Sequence, residues 1–123
     1  MTAITIGNTP ALFGEGETPF LSAREIEKRL GVTQTELAKL AGVARNTLAA
    51  KSGSRKLDDA LSPVVRIFAM AVEMTGDEQR AALWFKHQPI PGWAGKTAFD
   101  LVGERKADKV LAYLEAVRSG IYA

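Results

Sequence analysis

The chain has 123 residues, 46% of them hydrophobic and 24% charged, a balance that builds one ordinary globular domain without covalent staples. It holds no cysteine and one histidine, His87, so disulfide frameworks, thiol redox chemistry and a zinc tetrahedron are excluded, and a net charge of +2 says little by its sum. Neither an export signal after Met1 nor a run of about 18 apolar residues occurs, so the expected setting is cytoplasmic, away from membranes.

Residues 1–20 carry Gly7, Pro10, Gly14, Gly16 and Pro19 among few large apolar groups, and read as a flexible N-terminal arm. Ser22 and Glu25 have the spacing of a capping box, with Leu21 and Ile26 at the hydrophobic-staple positions. The helix they open continues through Leu30 and stops at Gly31. Thr33 with Glu36, and Val32 with Leu37, repeat the device for a second helix from Gln34 to about Leu40. Gly42 supplies a turn that needs positive φ, and a third helix follows from about Ala44 to Lys51.

The Ser-, Gly- and charge-rich stretch from Lys51 to Pro63 reads as a loop, with Ser62 and Pro63 as the N-cap and first residue of the next helix. That helix, from Val64 to Met74, is apolar on almost every side. It is either central in the core or covered by a second subunit. Asp77 caps a helix carrying Ala81, Ala82, Leu83, Trp84 and Phe85, which ends before Pro89. A stiff Pro89-Ile90-Pro91-Gly92-Trp93-Ala94-Gly95 connector divides the chain. Thr97 then caps a short helix ended by Gly103, and a last helix from about Arg105 to Arg118 buries Ala107, Val110, Leu111, Leu114 and Val117. The expectation is an all-α protein: arm 1–20, a helix-turn-helix region 21–88, and a small helical C-terminal region 89–123.

Charge is concentrated where it would meet phosphates. Lys39, Arg45, Lys51, Arg55, Lys56 and Arg66 face only Asp58 and Asp59 over that stretch. The segment from Gln34 to Leu48 resembles the helix-turn-helix of Xre/Cro-type repressors: Ala38 is small at the helix crossing, Gly42 turns, and Leu37, Val43 and Leu48 wedge the pair apart. The resemblance implies DNA contacts from Gln34, Thr35, Arg45, Asn46, Thr47, Lys51 and Arg55, with Arg45, Asn46 and Thr47 against base edges. Two positions depart from the pattern: Lys51 replaces an apolar residue, and Ala44 stands where a capping Ser is common. The plainer alternative is an αα-turn whose polar residues are merely solvated.

Trp84-Phe85, Pro89-Ile90-Pro91, Gly95-Lys96-Thr97-Ala98-Phe99-Asp100-Leu101-Val102 and the segment from Val110 to Tyr122 occur in the order of the C-terminal domain of the MbcA/ParS/Xre antitoxins, which this chain resembles over roughly residues 22–123. Ala98 stands where that family often has Pro. The resemblance implies an antitoxin that inhibits a RES-domain toxin, an NAD-consuming or ADP-ribosylating protein, and represses its own operon on operator DNA as a homodimer or a larger hetero-oligomer with toxin. The expected toxin-binding residues are Trp93, Lys96 and Thr97, and a C-terminal tip of Arg118, Ser119, Gly120, Ile121, Tyr122 and Ala123. At that tip Ile121 and Tyr122 would act as apolar anchors, unless Tyr122 folds back on its own core. The alternative function is a stand-alone dimeric repressor with no toxin.

Other chemistry is weakly represented. Gly95-Lys96-Thr97 ends like a phosphate-binding loop, but the glycine required five residues before Gly95 is Ile90. His87 has no nucleophile or acid partner nearby in sequence, and Asp58, Asp59, Glu15 and Glu17 read as solvated carboxylates rather than metal ligands. No cofactor, metal or catalytic residue is expected, and the chain reads as a non-enzyme.

Overall fold

A computed structural model describes residues 22–50 and 55–120, and over these the chain is all helical. The helices are α1 (Ala23–Leu30), α2 (Gln34–Ala41), α3 (Arg45–Ala50), α4 (Arg55–Thr75), α5 (Glu78–His87), α6 (Ala98–Gly103) and α7 (Ala107–Arg118). The expected N-terminal arm, Leu21, Lys51 and the tip residues Ile121, Tyr122 and Ala123 lie outside the described residues. No described helix is long and apolar enough to cross a membrane.

Local sequence signals set most boundaries. Thr33 and Glu36 form the full reciprocal capping box, with bonds of 3.0 and 2.9 Å. At α1 the box is half built, because Ser22 Oγ accepts from Glu25 N at 3.2 Å while the Glu25 carboxylate turns to Arg29 at 3.3 Å. Arg29 also donates to Glu78 on α5 at 3.1 Å, so an ion pair across two helices replaces the second half of the box. Asp77 and Thr97 cap α5 and α6, and Asp100 completes a box at Thr97 that the sequence reading did not anticipate.

Gly31 (φ 71) and Gly42 (φ 74) close α1 and α2 in the left-handed conformation. In each case the next residue, Val32 or Val43, donates back five residues, to Glu27 O at 3.1 Å and to Ala38 O at 3.0 Å. The end of α6 uses the same closure, since Lys106 N donates to Leu101 O at 2.8 Å. Here, however, the left-handed position is held by Arg105 (φ 68), and Gly103, the expected stop, lies inside the helix.

The largest departure from expectation is α4. It begins at Arg55 rather than at Pro63, so part of the expected loop is helix and Pro63 is interior. The reason is a continuous apolar face: Leu57, Leu61, Val64, Phe68 and Ala71 follow one another at steps of four and three and are all buried. Burial of that stripe outweighs the bond that Pro63 cannot donate. The helix packs against α1, α2, α5 and α7, which makes it central in the core as one of the two sequence readings required.

In α5 the apolar run cannot all face inward. Ala81 and Phe85, four residues apart, are fully buried, whereas Leu83 lies on the opposite side and is 61% exposed. In α7, Val110 and Leu114 are buried, while Ala107 and Leu111 pack at the edge of the core. Between α5 and α6 the proline-rich connector is a closed loop: Ile90 N donates to Lys96 O at 2.8 Å, Lys96 N to Trp93 O at 3.0 Å, and Pro89 bridges to Thr97. Ile90 plugs it into the core at 2% exposure.

Candidate functional site

The turn between α2 and α3 is the first of two candidate surfaces. Leu37 and Leu48 are buried and Val43 is half-buried, so the wedge that sets the crossing is present, and buried Ala38 admits the close approach. This packing leaves Arg45 and Asn46 exposed at the first turn of α3 and Thr47 half-buried beside them. Thr35, exposed at the start of α2, lies next to Arg45, whose Nη1 is 3.5 Å from Thr35 Oγ1. The N-terminal ends of α2 and α3 therefore share one face, with Gln34 half-buried at its edge. Arg55 is exposed at the start of α4. Adjacent helix N-termini with short polar side chains and an arginine suit phosphate and base-edge contacts.

The second surface is built by the α5–α6 loop and the α6–α7 turn. Lys96 Nζ donates to both Glu104 oxygens at 2.8 and 2.9 Å, and Lys106 Nζ lies 3.5 Å from the same carboxylate and 5.8 Å from the Trp93 ring centroid. Trp93, Lys96, Glu104 and Lys106 thus form one cluster of half-buried and exposed groups, which suits an amphipathic partner surface. Thr97 beside it is 9% exposed and caps α6, so its hydroxyl is already engaged. Arg118, Ser119 and Gly120 are exposed at the other end of α7, a helix of 12 residues and so about 18 Å long. Arg118 pairs there with Glu73 of α4 at 2.9 Å and with Glu115 at 3.5 Å. The expected toxin-binding residues accordingly fall in two groups at opposite ends of α7.

Hydrogen bonds from the Lys96 ammonium, opposed by partial desolvation and helped by the charges of Lys96 and Lys106, hold the Glu104 carboxyl below its ordinary pKa of 4.5. A carboxylate whose folded pKa lies below its unfolded one adds stability above the unfolded value and loses it as pH falls through the folded value. Glu104→Gln should therefore abolish one component of acid sensitivity: the urea midpoints of variant and wild type should differ at pH 7 and converge as pH falls below about 4.5. A constant gap down to pH 3 would show that the carboxylate contributes nothing through its charge.

Sequence reasoning missed two surface features. Leu83 sits on a groove lined by Lys28, Arg29, Gln79, Ala82, Lys86 and His87 between α1 and α5, and its exposure was hidden inside an apolar run. Arg105 reaches α2, and no local signal could have announced partners 65 and 66 residues away. Among the described residues no group of three or more His, Asp or Glu side chains could hold a metal ion.

Residues 70–120 match the family model of the antitoxin Xre/MbcA/ParS C-terminal toxin-binding domain. No curated protein matches the chain. The matched segment begins in the C-terminal third of α4 and takes in α5, α6 and α7, including both groups of expected toxin-binding residues up to Gly120. Its described role is toxin binding. Residues 70–120, with a helix-turn-helix ahead of them, are thus similar to the toxin-binding domain of the Xre/MbcA/ParS antitoxins.

Proposed function

We propose that the chain is the antitoxin of a two-component system that inhibits a RES-domain toxin, an NAD-consuming or ADP-ribosylating protein, in the cytoplasm, and represses its own operon. The observation that carries this reading is the toxin-binding domain over residues 70–120 joined to a helix-turn-helix whose Arg45 and Asn46 are exposed. The RES class comes from the sequence resemblance. The toxin contacts are Trp93, Lys96 and Thr97 with the tip from Arg118 to Ala123, and region 89–123 carries them. The deciding experiment co-expresses the chain with the product of the adjacent reading frame. The expected result is a stable complex, and loss of cellular NAD when the neighbour is expressed alone. A neighbour that neither co-purifies nor consumes NAD would leave the stand-alone repressor.

The tip is tested separately by deleting Ser119 to Ala123. Lost inhibition with a retained fold assigns it to the toxin cleft, and full inhibition moves the interface to the Trp93 and Lys96 end of α7.

On the DNA side, Arg45→Ala and Asn46→Ala should each remove roughly 1–3 kcal/mol of discrimination between operator and random sequence. Arg55→Ala, and Lys51→Ala outside the described residues, should weaken binding to every sequence and flatten its salt dependence. Equal wild-type affinity for both duplexes would make the helix-turn-helix a scaffold. A homodimer would present two recognition helices about 34 Å apart on a two-fold site, and sedimentation of a monomer both free and DNA-bound would rule that out.

A further inference from the structure

Three helices end in the same left-handed closure, and only at the third is the left-handed residue not glycine. Arg105 (φ 68) adopts a conformation that is unfavourable for a side chain with Cβ, by about 1 kcal/mol. Its guanidinium leaves the toxin-binding domain, crosses to the helix-turn-helix, and donates through Nη2 to Lys39 O and to Leu40 O at 3.0 Å, while keeping a bond of 3.2 Å to Val102 O in its own turn. The two outer acceptors are carbonyls of the last turn of α2, where the helix dipole favours a cation, and Lys39 O accepts there from Gly42 N as well, at 3.2 Å. Gly42 leaves the space: a Cβ there would coincide with the guanidinium. On the other side of the same turn the Lys39 stem lies against Gly103, where an added Cβ would come 3.3 Å from Lys39 Cε.

The end of α2 is the hinge that aims α3. Gly42 and Val43 carry the turn, and Arg45 begins the recognition helix immediately after it. We propose that Arg105 is a positioning residue through which the toxin-binding domain holds the α2–α3 turn, and with it the recognition helix, in one geometry. Its position next to Lys106, in the Trp93, Lys96 and Glu104 cluster, joins the second candidate surface to the first through one side chain. The DNA consequence rests on the operator reading above, whereas the structural claim does not.

Arg105→Gly is the informative variant, because glycine accepts the left-handed turn and so removes the side chain with its guanidinium without straining the backbone. Amide hydrogen exchange of the full chain should then quicken by about 10-fold or more at Val43 and Leu48, the factor expected from losing a charge-assisted hydrogen bond. Ala81, in α5, should exchange as before. Arg105→Lys, which keeps the charge but not the fork, should fall between the two. Unchanged exchange at Val43 and Leu48, or an equal rise at Ala81, would overturn the proposal. The second readout uses a duplex copied from the DNA upstream of the chain's own reading frame: Arg105→Gly should lose about 10-fold in affinity, in step with the exchange result. If the wild type binds that duplex no better than a random one, operator recognition fails while the exchange result still decides the role of Arg105.

Discussion

Phe85→Ala is expected to destabilise the protein by about 3–5 kcal/mol, the range for removing a fully buried aromatic ring. Phe85 is 0% exposed and meets Phe99 edge to face, with centroids 6.2 Å apart and planes at 87°. It stands on α5, which packs against α1, α4 and α6, and it belongs to the common core, so the cavity would open inside close-packed side chains. Domains of this size are stable by about 5–15 kcal/mol, so the variant should approach or cross the unfolding threshold at 37 °C. Phe85→Leu refills most of the volume and should cost clearly less. The check is urea unfolding followed by circular dichroism, and a loss under about 1 kcal/mol for the alanine variant would show that the site collapses around the void.

The second large effect has the opposite sign. Pro63 lies inside α4, where its nitrogen cannot donate to the Asp59 carbonyl and its ring crowds that oxygen. An interior proline costs about 3 kcal/mol relative to alanine, and the stiffness it gives the unfolded chain returns about 0.4–1 kcal/mol. Pro63→Ala should therefore stabilise the protein by roughly 2 kcal/mol, which is several degrees in Tm for a chain of this length. Calorimetry is the direct test. A lower Tm would mean that the packing of Leu61 and Val64 on either side of Pro63 depends on the proline ring.

The same residue explains where sequence reading stopped short. Ser62-Pro63 is a sound helix start by local rules, and the competing signal, Leu57 and Leu61 in step with Val64, becomes decisive only once a core exists to bury them. The helices whose ends are written locally were legible: Thr33, Asp77 and Thr97 cap as expected, and Gly31 and Gly42 stop their helices. The α2–α3 turn and the outward placement of Arg45 and Asn46 were legible for the same reason, since the unbroken stretch from Gln34 to Leu48 contains all the required residues. Leu83 was hidden by its apolar neighbours, because a run of five such residues does not say which one is left outside. Arg105 was not legible at all, since its role is written in carbonyls on a helix far away along the chain.

The 21-residue α4 is about 32 Å long and touches α1 and α2 as well as α5 and α7. Anyone recombining such proteins, to give one DNA reader a different toxin partner, will find no seam here. A graft made at residue 70, where the toxin-binding match begins, cuts through that helix, and one made after it strands Arg105 without the Lys39 and Leu40 carbonyls. The transferable unit is α4 through α7 together with a recipient α2 that ends in glycine, so exchange of partners is constrained by the fit of a helix end as well as by the surface that meets the toxin.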